Sequence, residues 1–168
     1  MTAERKPTPD AHRAPLQMKN RLTRLDRLFV QHPIYFVTAC TWDRRSLLAS
    51  DDIHHAFRHF STAGAARGAW VGRYVLMPDH LHLFVALEAI SLSAWMKSLK
   101  NALSKTLRIQ GHDAPHWQRG FFDHLLRSGE SYSQKWAYVR ENPVRAGLVR
   151  KPEDWPYSGE IGDLEFSK

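Results

Sequence analysis

The chain has 168 residues, of which 43% are hydrophobic and 24% charged, the composition of one globular domain, which excludes a wholly disordered chain. Lysine and arginine number 24 against 17 aspartates and glutamates, so the net charge is +7, which indicates a polyanionic partner, nucleic acid before a membrane surface. The single cysteine, Cys40, excludes an intramolecular disulfide and a cysteine-based zinc site. With no signal-peptide core and no apolar run of about 20 residues, we expect a cytoplasmic protein.

The first 28 residues combine many basic side chains with three prolines and few apolar positions. This composition predicts a flexible basic arm over residues 1–28, with Arg21 and Arg24 as candidate contacts to DNA phosphates. A single domain is predicted over residues 29–158, followed by a C-terminal tail over residues 159–168. After Pro33, the segment IYFVTACTW is rich in β-branched and aromatic residues and predicts the first strand.

Helix and strand signals alternate in the middle of the chain. Ser50 followed by two aspartates predicts a helix start, and Gly68 marks its end. The segments WVGRYVLM and HLHLFVAL, joined by Pro78 and Asp79, predict a β-hairpin. An apolar stripe of helical spacing then begins at Leu92 and predicts an amphipathic helix before Gly111. Its opposite side is basic and supplies three candidate phosphate contacts: Lys97, Lys100 and Arg108.

The C-terminal part of the chain adds one strand and one helix. HWQRGFFDHLLRS is strand-like, and Ser131 with Gln134 form a capping-box pattern that predicts a last helix from about Ser131. Residues from Asp154 onward are expected to be loosely ordered. The order strand, helix, two strands, helix, strand, helix predicts an α+β fold with a ferredoxin-like antiparallel sheet and helices packed on it.

The second strand of the predicted hairpin contains two closely spaced histidines. His80 and His82 are separated by one residue, so both imidazoles leave the same face of the strand, about 6.6–7 Å apart along it. The strand is otherwise apolar as far as Glu88, and two neighbouring imidazoles suit a metal ion. The alternative is a pair of histidines satisfied by hydrogen bonds or exposed at a sheet edge.

Tyr138 and Asn142 lie four residues apart in the last predicted helix and therefore share a face. A phenol is a possible nucleophile, and an amide oxygen beside imidazoles suits Mg²⁺ or Mn²⁺, so together with the histidines they would complete a phosphoryl-transfer centre. Alternatively, Asn142 caps a helix that begins at Pro143, and Tyr138 only packs. Tyr132 is the poorer nucleophile candidate, about 80° away from Asn142 around the helix. Arg145, on the same face, is a candidate for easing phenol ionisation and contacting DNA, or a solvated surface arginine.

Several longer segments occur in a characteristic order and spacing: YFVTACTWDRRSLLA, YVLMPDHLHLFVAL, HWQRGFFDHLLRSGESYSQKWAYVRENPVRAGLV and DWPYS. His80-Leu81-His82 follows a Pro-Asp turn, and Tyr138 precedes by four residues the asparagine of an Asn-Pro-Val-x-x-Gly motif. In these features most of residues 33–158 resembles the single-tyrosine HUH transposases, in particular the REP-associated tyrosine transposases of bacteria. The ending WPYSGE departs from the commoner WPxSS of that family.

The resemblance implies the HUH endonuclease fold and an enzyme that cuts and rejoins single-stranded DNA next to imperfect hairpins. It implies that Tyr138 forms a 5′-phosphotyrosine, while His80, His82 and Asn142 bind a divalent ion, Mg²⁺ or Mn²⁺. Members of the wider group usually carry glutamine where this chain has Asn142, which favours the REP-associated branch and, with it, a monomer over a dimer. A hairpin-binding protein that has lost the chemistry is the alternative.

Overall fold

The computed structural model describes residues 27–30 and 32–166, so the predictions for Arg21 and Arg24 lie outside the described residues. In chain order, the strands and helices are β1 (Arg27–Val30), β2 (Ile34–Cys40), α1 (Asp51–Gly64), β3 (Ala69–Leu76), β4 (His80–Leu87), α2 (Leu92–Ile109), β5 (Phe122–Leu126), α3 (Gly129–Arg140), α4 (Asn142–Arg145), β6 (Ser158–Glu160) and β7 (Asp163–Phe166). No helix in this part of the chain is long and apolar enough to cross a membrane.

The main sheet has five antiparallel strands in the order β5-β2-β4-β3-β6. The run β2-α1-β3-β4-α2-β5 is a βαββαβ unit, and β6 adds one strand at the β3 edge. The predicted fold class, a ferredoxin-like antiparallel sheet covered by helices, is therefore confirmed. β4, which carries the two histidines, lies at the centre of this sheet.

The two faces of the sheet are covered by different helices. Successive strand residues point to opposite faces, so Leu81 and Leu83 of β4 pack into the same core as α2 residues such as Leu99. Phe84 belongs to a second core on the other face, together with Val139 of α3. α1 and α2 share the first face, whereas α3 packs on the second together with Leu164 of β7. On this second face, His80 and His82 of β4 remain partly exposed.

The helix starts follow local capping. The hydroxyl of Ser50 accepts a hydrogen bond from the backbone N–H of Ile53, as the sequence predicts. The predicted start of the last helix at Ser131 is wrong, since α3 begins at Gly129. Ser128 has extended backbone and its hydroxyl accepts from the N–H of Ser131 at 3.2 Å, so an earlier serine is the cap.

Ordered strands occur within both segments that the sequence analysis placed outside the domain. β1 begins at Arg27, inside the predicted arm, and pairs in parallel with β7, inside the predicted tail. β6 pairs with β3, and Leu164 of β7 is buried. The expectation of a loosely ordered segment after Asp154 is therefore wrong for β6 and β7, because pairing with distant strands orders them.

A close approach at Gly72 holds β7 against the sheet. Gly72 lies where the register of β3 shifts relative to β4, between Val71 and Tyr74. A Cβ atom at this position would lie 2.8 Å from the Leu164 side chain and 2.9 Å from the Tyr132 hydroxyl oxygen. Only glycine leaves room for both contacts.

Candidate metal and nucleophile site

His80 and His82 lie at the start of β4 and point to the face that α3 covers. They alternate with Leu81 and share their face with Phe84, whose ring packs 4.5 Å from the ring of Tyr132 in α3, measured between centroids. The two imidazole rings are 4.8 Å apart and nearly perpendicular. The structure therefore brings both predicted nitrogen ligands together beside the last long helix.

Each imidazole is held by its Nδ1 atom. The Nδ1–H of His80 donates to the carboxylate of Asp79 at 2.7 Å, and the Nδ1 of His82 is 2.8 Å from the hydroxyl oxygen of Thr38. Among the described residues, no hydrogen bond involves the Nε2 atom of either ring. A proton on Nδ1 leaves the lone pair on Nε2, and a hydrogen bond of this kind is typical of metal-binding histidines.

His82 is in the neutral form that ligates metals. Burial, together with electrostatic interactions with the basic side chains of His80, Arg145, Arg44 and Lys135, lowers its pKa from 6.5 to about 3. Two of these cations, Arg145 and Lys135, belong to the α3–α4 segment. That segment is therefore within electrostatic reach of the histidines.

Tyr138, Asn142 and Arg145 form a second cluster where α3 meets α4. The guanidinium of Arg145 lies 4.2 Å from the centre of the Tyr138 ring, and it donates to the Tyr138 carbonyl oxygen at 2.7 Å. It also donates to the side-chain oxygen of Asn142 at 2.5 Å. α4 begins at Asn142 and its N-cap residue is Glu141, so the alternative interpretation of Asn142 as a helix cap is wrong.

The two candidate tyrosines differ in exposure. Tyr138 is 64% exposed, whereas Tyr132 is 6% exposed and its hydroxyl accepts a hydrogen bond from the backbone N–H of Arg73. Burial raises the pKa of Tyr132 to about 12. A nucleophilic phenol must reach its substrate and ionise, so the structure favours Tyr138 over Tyr132.

The donor set fits a divalent ion only if an oxygen ligand joins the histidines. Within residues 32–166, no three His, Cys, Asp or Glu side chains lie close enough together to form a metal site. The side-chain oxygen of Asn142 has two lone pairs, and Arg145 uses one of them. Two imidazole nitrogens and one amide oxygen, with the remaining positions left to water or phosphate, suit Mn²⁺ or Mg²⁺.

The basic residues predicted on α2 are not near this site. Lys97 and Arg108 are exposed on the far side of α2, and the sheet lies between them and the histidines. Lys100 is only half-exposed, and its ammonium group donates to the carbonyl oxygens of Gln118 and Gly120 at 3.1 and 2.5 Å. Burial lowers the pKa of Lys100. Its observed partners are therefore backbone carbonyls of the loop before β5.

Three residues of the site were not identified from the sequence. Asp79 directly precedes His80, so the sequence alone places these two residues close together. Thr38 contacts His82 only because β2 pairs with β4. Arg44 forms an ion pair with Asp79 at 2.7 Å. Asp43 and Arg44 both have positive φ, near +50°, a strained conformation for consecutive non-glycine residues. No sequence motif predicts this turn conformation.

Comparisons with known proteins show the family to which the chain belongs. The family model described as "Transposase IS200 like" matches residues 30–142, more than half of the chain. A REP-associated tyrosine transposase of Escherichia coli is 23% identical over 134 residues, 79% of each chain. A Haemophilus influenzae protein assigned to the same group is 26% identical over 151 residues, covering 83% of this chain and 86% of that one.

A solved structure shares the fold. It is a REP-associated tyrosine transposase bound to a REP hairpin, with a TM-score of 0.63 and 23% sequence identity. The superposition covers 84% of this chain and 94% of the other.

Proposed function

Because the chain belongs to the IS200-like transposase family, we propose that it is a metal-dependent endonuclease and transesterase that cleaves and rejoins single-stranded DNA next to hairpins. The observation that carries the proposal is the pair of imidazoles with both Nε2 atoms available, within electrostatic reach of the exposed Tyr138 segment. The hairpin in the structural relative supports hairpin DNA as the substrate. The net charge of +7 suits such a polyanion.

Each residue has a defined part in the proposed reaction. The phenol oxygen of Tyr138 loses its proton and attacks the phosphorus, and the bond from phosphorus to the 3′ oxygen breaks. The products are a 5′-phosphotyrosine and a strand that ends in a 3′-hydroxyl, which takes up a proton. The guanidinium of Arg145 lies next to the Tyr138 ring and would place positive charge close to the attacked phosphate.

His80, His82 and Asn142 would hold the divalent ion, which neutralises charge on the phosphate and thereby lowers the barrier to attack by an anion. Asp79 and Thr38 orient the two imidazoles. The phosphotyrosine conserves the energy of the broken bond, so a 3′-hydroxyl from another strand reverses the step without an external energy source.

The first prediction is a covalent adduct that depends on Tyr138 and on metal. The protein is incubated with Mn²⁺ or Mg²⁺ and 3′-labelled single-stranded hairpin DNA from repeats beside its coding region, and adducts are separated on a denaturing gel. We expect the adduct to disappear in Tyr138→Phe and in His82→Ala while hairpin binding persists. Tyr132→Phe is the matched control and should retain it, because that hydroxyl is buried.

The opposite outcomes are equally informative. An adduct in Tyr138→Phe would contradict the assigned nucleophile. Tight binding of the hairpin without any adduct in the wild-type protein would contradict the transesterase and support a protein that only binds hairpins.

A further inference from the structure

Phe122, the first residue of β5, is 60% exposed. Single exposed apolar side chains are common on protein surfaces and need no explanation by themselves. The position of Phe122 relative to the candidate site is what sets it apart.

Strand register places Phe122 in one row with His82. Thr38 of β2 pairs with Phe122 on one side and with His82 on the other. Directly paired residues of neighbouring antiparallel strands point to the same face of a sheet. Two strand spacings separate the Cα atoms of Phe122 and His82 by about 10 Å. The exposed ring therefore lies on the open face, next to the phosphate that the site would bind.

The backbone that leads into Phe122 is fixed in place. The N–H of Gln118 donates to the carbonyl oxygen of Cys40 at 3.0 Å, and Lys100 donates to the carbonyl oxygens of Gln118 and Gly120. The indole N–H of Trp117 donates to the hydroxyl of Ser104 at 3.1 Å. The ring is thus presented by an anchored segment, which reduces the entropy lost when a ligand binds to it.

Cations surround the other end of this row. A guanidinium nitrogen of Arg44 lies 3.5 Å from the Nδ1 atom of His80, and the ammonium group of Lys135 lies 5.3 Å from the centre of the Phe36 ring, which stacks on His82. Arg145 lies 4.2 Å from the centre of the Tyr138 ring. Positive charge for the phosphates, together with an aromatic ring for the bases, is the combination that binds single-stranded nucleic acid. An apolar protein segment would gain nothing from these three cations.

We propose that Phe122 is a stacking platform for one unpaired nucleobase next to the phosphate held at the histidines. This inference rests on the proposed function for the location of that phosphate. It assigns a binding role to an edge-strand residue that takes no part in the chemistry, and stacking makes the subsite tolerant of base identity.

The test uses the full chain carrying Tyr138→Phe, so that binding is measured without cleavage. The probe is a synthetic DNA hairpin with a single-stranded 5′ extension of about eight nucleotides, with the fluorescent base 2-aminopurine at one extension position at a time. We expect stacking on Phe122 to change the fluorescence at one position, and Phe122→Ala to abolish that change. Phe122→Ala should weaken binding by about 5- to 150-fold, and Phe122→Trp should restore it.

Leu125→Ala is the matched control. Leu125 is also exposed, at 44%, on the same strand, but it pairs with Tyr35 and points to the opposite face. Its replacement should leave the affinity unchanged. When the base whose fluorescence changes is removed from the DNA, the affinity of the Tyr138→Phe protein should fall by the same factor. Adding Phe122→Ala should then weaken binding no further.

Three results would overturn the stacking platform. The first is a Phe122→Ala affinity within about twofold of that of the Tyr138→Phe protein. The second is a loss of affinity in Phe122→Ala that persists whichever base of the extension is removed, and the third is equal affinity for hairpins with and without the extension. If Tyr138 forms an adduct while Phe122→Ala binds normally, the transesterase stands and the platform fails. If Phe122→Ala and removal of the base affect binding non-additively, but the protein forms no adduct, the stacking platform stands and the transesterase fails.

Discussion

Thr38 holds the Nδ1 atom of His82 from the neighbouring strand. The two residues are 44 positions apart in the chain, and only the antiparallel register of β2 and β4 brings them together. Hydrogen bonds of this kind fix the tautomer and orientation of a metal-binding imidazole, and their loss typically costs about 10- to 100-fold in metal affinity. Thr38 is therefore a positioning residue for the candidate ion site.

We predict that Thr38→Val weakens Mn²⁺ binding by about 10-fold or more, because it removes the hydroxyl at nearly constant volume. Thr38→Ser keeps the hydroxyl and should bind Mn²⁺ as the wild type does. Titration of the protein with Mn²⁺, followed by electron paramagnetic resonance of the free ion, measures the difference directly. Equal affinity in Thr38→Val and wild type would show that His82 needs no such support.

The lowered pKa of His82 has a consequence for stability. Its pKa is about 3 in the folded protein and 6.5 ordinarily, so between these values the unfolded chain binds more protons than the folded one. The contribution of His82 to the free energy of unfolding therefore falls as the pH drops from 6.5 towards 3. The contribution of one such group is at most about 1.4 kcal/mol per pH unit.

In the presence of a chelator, we predict that His82→Gln loses less stability on acidification than the wild type does. Urea unfolding at successive pH values between about 7 and 4 measures the two slopes. Parallel slopes would mean that His82 becomes protonated in the folded protein, contrary to its buried environment.

At the scale of elements, α3 is an asymmetric helix. Tyr132 and Val139 are buried against the sheet, whereas Tyr138 is exposed on the other side. Tyr132 is held in this orientation because its hydroxyl and the Leu164 side chain of β7 both pack over Gly72. Gly72 lies at the register shift of β3. The position of Tyr138 thus depends on a contact at the far end of the helix.

We predict that Gly72→Ala destabilises the protein by about 1–3 kcal/mol, because the added methyl group would meet Leu164 and Tyr132 at less than contact distance. Gly129→Ala in α3 is the control, since its nearest neighbour would be the Phe166 ring at 3.7 Å, an ordinary contact. Chemical denaturation of both variants tests the prediction. A Gly72→Ala protein as stable as the wild type would show that β7 is displaced at little cost.

Sequence patterns predicted the elements that form from local signals. The alternation in β4 and the helical stripe of α3 correctly assigned the faces of His80, His82 and Tyr138, because these faces depend only on periodicity. β6 and β7 were missed because their order comes from pairing with β3 and β1. The structural use of Lys100 was missed for a similar reason, since the loop carbonyls it binds are 18 and 20 residues away.

At the scale of the whole molecule, the sheet separates two groups of described basic side chains. Arg44, Lys135 and Arg145 surround His82, whereas Lys97 and Arg108 lie beyond α2 on the opposite side. A short single strand bound at the histidines reaches only the first set. Each lost phosphate contact lowers the salt dependence of binding by about one unit in the slope of log affinity against log salt.

We therefore predict that Lys135→Gln lowers this slope by about one for a short extended hairpin, while the double variant Lys97→Gln/Arg108→Gln leaves it unchanged. Fluorescence anisotropy at several salt concentrations gives both slopes. A reduced slope in the double variant would show that the DNA wraps across both faces, and would confirm the phosphate contacts predicted for Lys97 and Arg108 from the sequence.

We propose that the two strand histidines and Tyr138 form one transesterase site, and mass spectrometry of the covalent adduct can identify the attacking residue. The adduct formed with Mn²⁺ is digested with nuclease and protease, and the modified peptide is sequenced. We expect a nucleotide joined through its 5′ phosphate to Tyr138. A nucleotide on Tyr132 or on any other residue, or cleaved DNA with no attached protein, would contradict it.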